Sequence, residues 1–141
     1  MTAPTTIERL RGPWTNELDS WMELEARPDG TLTGHYRSSV GADGGPQPLA
    51  GYYDPRPENG IAVLGFTVAW PTTHTVTVWS GRYDTERDVI TATWLLSGEV
   101  DRVDAWRSTL VGADVFTRSG AGGGGAGGTR EEGAAHASTP G

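Results

Sequence analysis

Between residues 13 and 118, apolar and polar positions tend to alternate, and clusters of turn-forming residues break the alternation at short intervals. A period of two marks a strand with one buried face and one wet face. The pattern predicts eight strands, at 13–18, 21–26, 31–38, 49–53, 61–70, 74–83, 89–96 and 108–118. Pro28-Asp29-Gly30, Asp54-Pro55-Arg56-Pro57 and Pro71-Thr72-Thr73 punctuate them, and a polar hairpin turn is expected at 84–88. No long helical period appears. Short strands at near-regular spacing with tight connections predict an all-β fold, an eight-stranded antiparallel up-and-down β-barrel. Closing the sheet removes its edges. A barrel of this size encloses packed side chains or one small ligand, so the site is expected inside, at one mouth.

The flanks lack the pattern. Residues 1–10 are expected to be a flexible lead-in, and the glycine-rich stretch 119–141 a disordered tail with nothing large to bury. The folded unit is then 11–118. No 18-residue apolar run offers a membrane helix, and MTAPTTIERLRGPW has no apolar core of a signal peptide.

Composition narrows the chemistry. The net charge is −7 and all 11 basic residues are arginine, which disfavours nucleic acid as a partner and excludes lysine Schiff-base chemistry. Without cysteine there are no disulfides and no thiol nucleophile. His35, His74 and His136 stand far apart, with no metal-ligand spacing. No nucleophile elbow, phosphate loop or zinc-protease motif is present, so an enzyme and a bound cofactor are both unexpected. Six tryptophans in 141 residues stand out. Core packing is the ordinary use of tryptophan in strands; an aromatic box for a flat ligand is the sharper one.

Several polar residues fall on inward positions. Asn16 and Ser20 flank the first turn; Tyr36 and Ser38 share a face of the third strand. Thr75, Thr77 and Trp79 share a face of the sixth, and Trp94 and Leu96 a face of the seventh. Asp114 is an acid inside an apolar strand, costly to bury without a partner. Trp106 sits in a polar loop, 12 residues after Trp94 and 8 before Asp114. Together the inward residues describe a small cavity with fixed polar groups and indole walls, the form of a small-molecule site.

The ordered set of segments resembles the avidin/streptavidin family of biotin-binding proteins. The matching stretches are GPWTNEL at 12–18 with Ser20, TGHYRSSVG at 33–41, LGFTVAW at 64–70, TVWSG at 77–81, WLL at 94–96, and WRSTLVGAD at 106–114 followed by Phe116-Thr117. The resemblance implies roles. Asn16, Ser20 and Tyr36 would donate to the ureido oxygen of biotin, and Ser38 and Asp114 would accept from its two N–H groups. Thr77 would meet the thioether sulfur. Trp70, Trp79 and Trp94 would wall the rings, with Leu96 nearby. Thr75 and the backbone N–H of Ala42 would meet the carboxylate. Trp106 would cover the ligand of an adjacent subunit in a homotetramer, and the protein would be extracellular, although no signal peptide is visible, or cytoplasmic if unprocessed.

Two other readings compete. Gly12-x-Trp14 also resembles the opening of a lipocalin, a carrier whose cavity would be more uniformly apolar. A small hydrolase would pair Asp114 with His74.

Overall fold

Side chains alternate between core and solvent along Ile61–Trp70 and Val89–Gly98; in the latter Ile90, Ala92, Trp94 and Leu96 are buried and their neighbours are not. The computed structural model describes residues 5–39 and 45–118. Its strands are β1 (Gly12–Asn16), β2 (Trp21–Ala26), β3 (Thr31–Arg37), β4 (Gln47–Tyr53), β5 (Ile61–Trp70), β6 (Thr75–Asp84), β7 (Val89–Gly98) and β8 (Thr109–Arg118). Each pairs antiparallel with the next, and β8 returns to β1, so the eight close into a barrel in chain order. This is the architecture the alternation predicts. Ala42 and the stretches 1–4 and 119–141 lie outside the described residues.

Three local differences from the expected elements have physical causes. β1 ends at Asn16, because the Asn16 Oδ1 accepts from the backbone N–H groups of Leu18 (3.0 Å) and Ser20 (2.9 Å). Such a side-chain bond competes with the ladder and curls the chain into a turn. β4 begins at Gln47, ahead of Pro48. Pairing with β5 starts only at Leu49, so on that side the missing N–H of Pro48 forfeits no bond. The lead-in, expected to be flexible, carries a short helix, α1 (Thr6–Leu10). Thr5 and Glu8 exchange side-chain-to-backbone bonds of 3.2 Å each, a capping box that fixes the helix start.

Helix α1 leads into the closed end of the barrel. Leu10 is buried, and its carbonyl accepts from the Trp14 Nε1–H at 3.0 Å. The Arg118 guanidinium lies 4.0 Å over the Trp14 ring and reaches the Asp88 carboxylate at 3.2 Å. Tyr83 meets Trp14 edge to face at 5.7 Å and donates its hydroxyl to Asp88 at 2.7 Å. The start of β1 and the end of β8 both lie here, since Trp14 pairs with Arg118. This plug leaves the opposite end, where β1, β3, β5 and β7 finish, as the mouth.

β1 is half the length of β8 and pairs with it at three positions, Trp14, Thr15 and Asn16. Nearer the mouth the ladder is replaced by a side chain: Glu17 Oε1 accepts from the Val115 N–H at 2.9 Å.

Candidate functional site

The inward faces near the mouth hold the residues the sequence singles out. Asn16, Ser20, Tyr36, Ser38, Trp70, Thr75, Thr77, Trp79, Trp94, Leu96 and Asp114 are all buried. They come from elements far apart in sequence, and strand register brings them to one end. Trp70 is the last residue of β5 and faces Thr75, the first of β6. One step deeper, Val68, Thr77 and Leu96 lie in a row; deeper again, Phe66, Trp79, Trp94 and Gly112 form the next. Asp114 follows on β8, two residues past Gly112 and on the same face.

Asp114 is 1% exposed, and its Oδ2 accepts from the Trp79 Nε1–H at 2.9 Å. A buried carboxylate is tolerable only with such partners. The Trp70 Nε1–H donates to Thr77 Oγ1 at 3.0 Å, and the Thr73 and Thr75 hydroxyls sit 2.9 Å apart. Asn16 Nδ2 lies 3.5 Å from the Tyr36 hydroxyl. Ser20 Oγ accepts from the Ser39 N–H at 3.0 Å, tying the first turn to the chain just after Ser38. These bonds fix several polar groups in an apolar, low-dielectric interior, where a hydrogen bond is stronger than in water. The Trp94 Nε1–H, fully buried, meets no acceptor among the described residues.

The walls are aromatic. Tyr36 stacks at a tilt on Trp79 (centroids 4.8 Å, 31°) and meets Trp70 and Phe116 edge to face at 5.9 and 6.3 Å. Phe66 stacks on Trp79 at 4.9 Å and 22°. Trp94 lies across Gly112, where an added Cβ would come within 2.1 Å of the indole. Sequence reasoning missed Phe66 and Gly112 as parts of the site. Period two gives a signal for both, since Phe66 shares a face with Trp70 and Gly112 with Asp114.

Trp106 is not brought into this chain's cavity. It sits in a 3-10 segment, Arg102–Arg107, and is 82% exposed. Nor do His74 and Asp114 form a pair. The His74 side chain is exposed, in a left-handed turn residue 3.9 Å from the Glu99 carboxylate, while Asp114 is engaged with Trp79. Among the described residues no cluster of His, Asp and Glu could hold a metal ion.

The family model for the avidin family matches residues 4–119. The chain is 34% identical to avidin from Gallus gallus over 117 residues, which is 77% of each chain. It is 33% identical to avidin-related protein 4/5, also from Gallus gallus, over 129 residues, 84% of this chain and 85% of that one. These matches displace the lipocalin and hydrolase readings: the chain belongs to the avidin family, whose members bind biotin as a ligand, without a cofactor and without catalysing a reaction.

Proposed function

We propose that this protein captures biotin non-covalently inside its barrel, with the ureido group held at the polar end and the rings between tryptophans. The observation that carries the reading is the buried set Asn16, Ser20, Tyr36, Ser38 and Asp114, gathered at one place and bounded by Trp70, Trp79 and Trp94. Two hydroxyls and an amide offer donors to one oxygen. A hydroxyl and a carboxylate offer acceptors to two N–H groups. Thr77 lies beside the thioether, with Leu96 against the rings. Thr75 faces the valeryl carboxylate, which the backbone N–H of Ala42 completes. Preorganisation gives the affinity: the protein spends little entropy ordering groups already fixed.

Assembly extends the site. We infer a homotetramer built as a dimer of dimers, in which Trp106 closes the ligand of a neighbouring subunit. Trp106 and Val103 are each 82% exposed, and Val78, Leu95 and Val111 make an exposed apolar row across β6, β7 and β8 on the outer face. Such a patch on a soluble protein marks an interaction surface. The family supports an extracellular role, sequestering biotin.

Titration with biotin, followed by tryptophan fluorescence, tests the function directly. Saturation at one ligand per chain is expected, with no response to retinol or a fatty acid. Binding of either of those, with biotin inert, would replace this reading with a lipid carrier. Light scattering gives the oligomer, and a monomer that holds biotin tightly would remove the shared lid.

A further inference from the structure

Phe66 is 2% exposed, has no polar side-chain atom, and sits on β5, whereas Tyr36 is on β3 and Asp114 on β8. Phe66 pairs with Trp79 across β5 and β6 and stacks on one face of that indole at 4.9 Å. Tyr36 covers another part of the same indole at 4.8 Å. Two rings therefore pack on the indole, and its Nε1–H donates to Asp114 Oδ2 at 2.9 Å.

We propose that Phe66 is a positioning residue of the ureido site: by stacking on Trp79 it fixes, through one aromatic row, both the Asp114 carboxylate and the Tyr36 hydroxyl. The inference rests on the biotin reading above. A tryptophan side chain can swing about its second torsion, a broad and shallow one. Nε1 is off that axis, so a small rotation moves it away from Asp114. Phe66 and Tyr36, both packed on the indole, oppose the rotation. Tyr36 is in turn wedged by Trp70 and Phe116. The position of Phe66 is itself pinned: its cross-strand neighbour on β4 is Gly51, where an added Cβ would lie 2.6 Å from the Phe66 Cα. The row thus runs from a glycine on one side to the hydroxyl and carboxylate on the other. A residue that touches no polar ligand atom controls the separation between a donor and an acceptor.

The test uses Phe66→Leu, which keeps most of the volume and loses the flat face. Two measurements are made on the full chain. The first needs no ligand: solvent exchange of the Trp79 indole N–H, assigned by NMR with Trp79→Phe. Phe66→Leu should speed that exchange by roughly tenfold, the scale of a lost aromatic stack. The second is the biotin dissociation rate in a double-mutant cycle. Phe66→Leu should raise the rate by roughly tenfold in the parent and by a clearly smaller factor in an Asp114→Ala background, because one of the two groups it positions is gone. In a Thr75→Ala background, where the lost hydroxyl bonded only Thr73 among the bonds described, the full effect should persist. Ile90→Val, a core change at the closed end, controls for lost stability and should leave dissociation unaltered. Should Phe66→Leu fail to fold, Phe66→Met takes its place in every arm.

Unchanged indole exchange, or fold-changes that simply multiply in the Asp114→Ala background, would overturn the proposal and leave Phe66 as core packing. If the parent itself ignores biotin, the proposed function fails. The exchange measurement then still decides whether Phe66 holds the Trp79–Asp114 bond, and without that hold the positioning role falls too.

Discussion

Replacing Gly112 with alanine should distort the binding cavity through a single added carbon. The new Cβ would stand 2.1, 2.4 and 2.8 Å from Cζ2, Cε2 and Cη2 of Trp94. Ordinary carbon contact is about 3.5 Å, so the indole must withdraw by about 1.4 Å. Two escapes exist. The strands could part, breaking ladder bonds where Trp94 pairs with Gly112. Alternatively, the indole could swing into the cavity, and this costs less because no backbone bond is lost. Overpacking of this kind destabilises by about 1–3 kcal/mol. The displaced wall would overlap the space assigned to the biotin rings, so a similar amount should be lost from binding, about 10- to 100-fold in affinity. Stopped-flow dissociation and thermal melts with and without biotin measure both terms. Trp94→Phe, which removes the atoms that clash, should relieve the Gly112→Ala defect in the double variant. Parent-like dissociation in Gly112→Ala, or a double variant no better than additive, would refute the steric account.

Other outcomes follow from the same geometry. Asp114→Ala should weaken biotin by about 2–3 kcal/mol, the range for a charged hydrogen-bond partner, and it also strips the acceptor from the Trp79 indole; an unaltered dissociation rate would remove Asp114 from the site. Trp106→Ala should speed biotin release far more than it slows capture and should weaken the proposed tetramer with the barrel intact by circular dichroism; release at the parent rate would deny the lid. Burial first, then the bond to Asp88, raises the Tyr83 hydroxyl above its ordinary value of 10.0. Its neutral form is therefore favoured in the folded state. The associated stability is complete below that ordinary value and is lost as pH rises through the raised one. Denaturant melts from pH 8 to about 12 should thus show an alkaline loss that Tyr83→Phe diminishes; identical pH profiles would contradict it.

The barrel was legible because alternation, turn residues and strand length agree along the whole of 12–118. It was less legible where one side chain redirects the backbone. Asn16 reads as a strand residue by period, yet its carboxamide accepts two backbone N–H groups and ends β1. The fourth strand is expected from residue 49, yet β4 begins at Gln47, since Pro48 stands beyond the pairing of β4 with β5. Helix α1 is too short for a hydrophobic period, and its sign was the Thr5/Glu8 pair. In the cavity, polar and indole residues announce themselves by type, and strand register gathers them near the mouth. Phe66 and Gly112 do not announce themselves. An apolar residue on an apolar strand and a glycine carry no chemistry to attract notice, and their importance exists only once Trp79 and Trp94 are in place.

The pairing of Trp14 with Arg118 sets the start of β1 and the end of β8 side by side at the plugged end, a barrel's length from the mouth. A label, fusion partner or surface linker joined ahead of α1 or after β8 would therefore be anchored behind the site. Molecules fixed to a support in this way would present their openings outward, and either attachment would serve the same orientation.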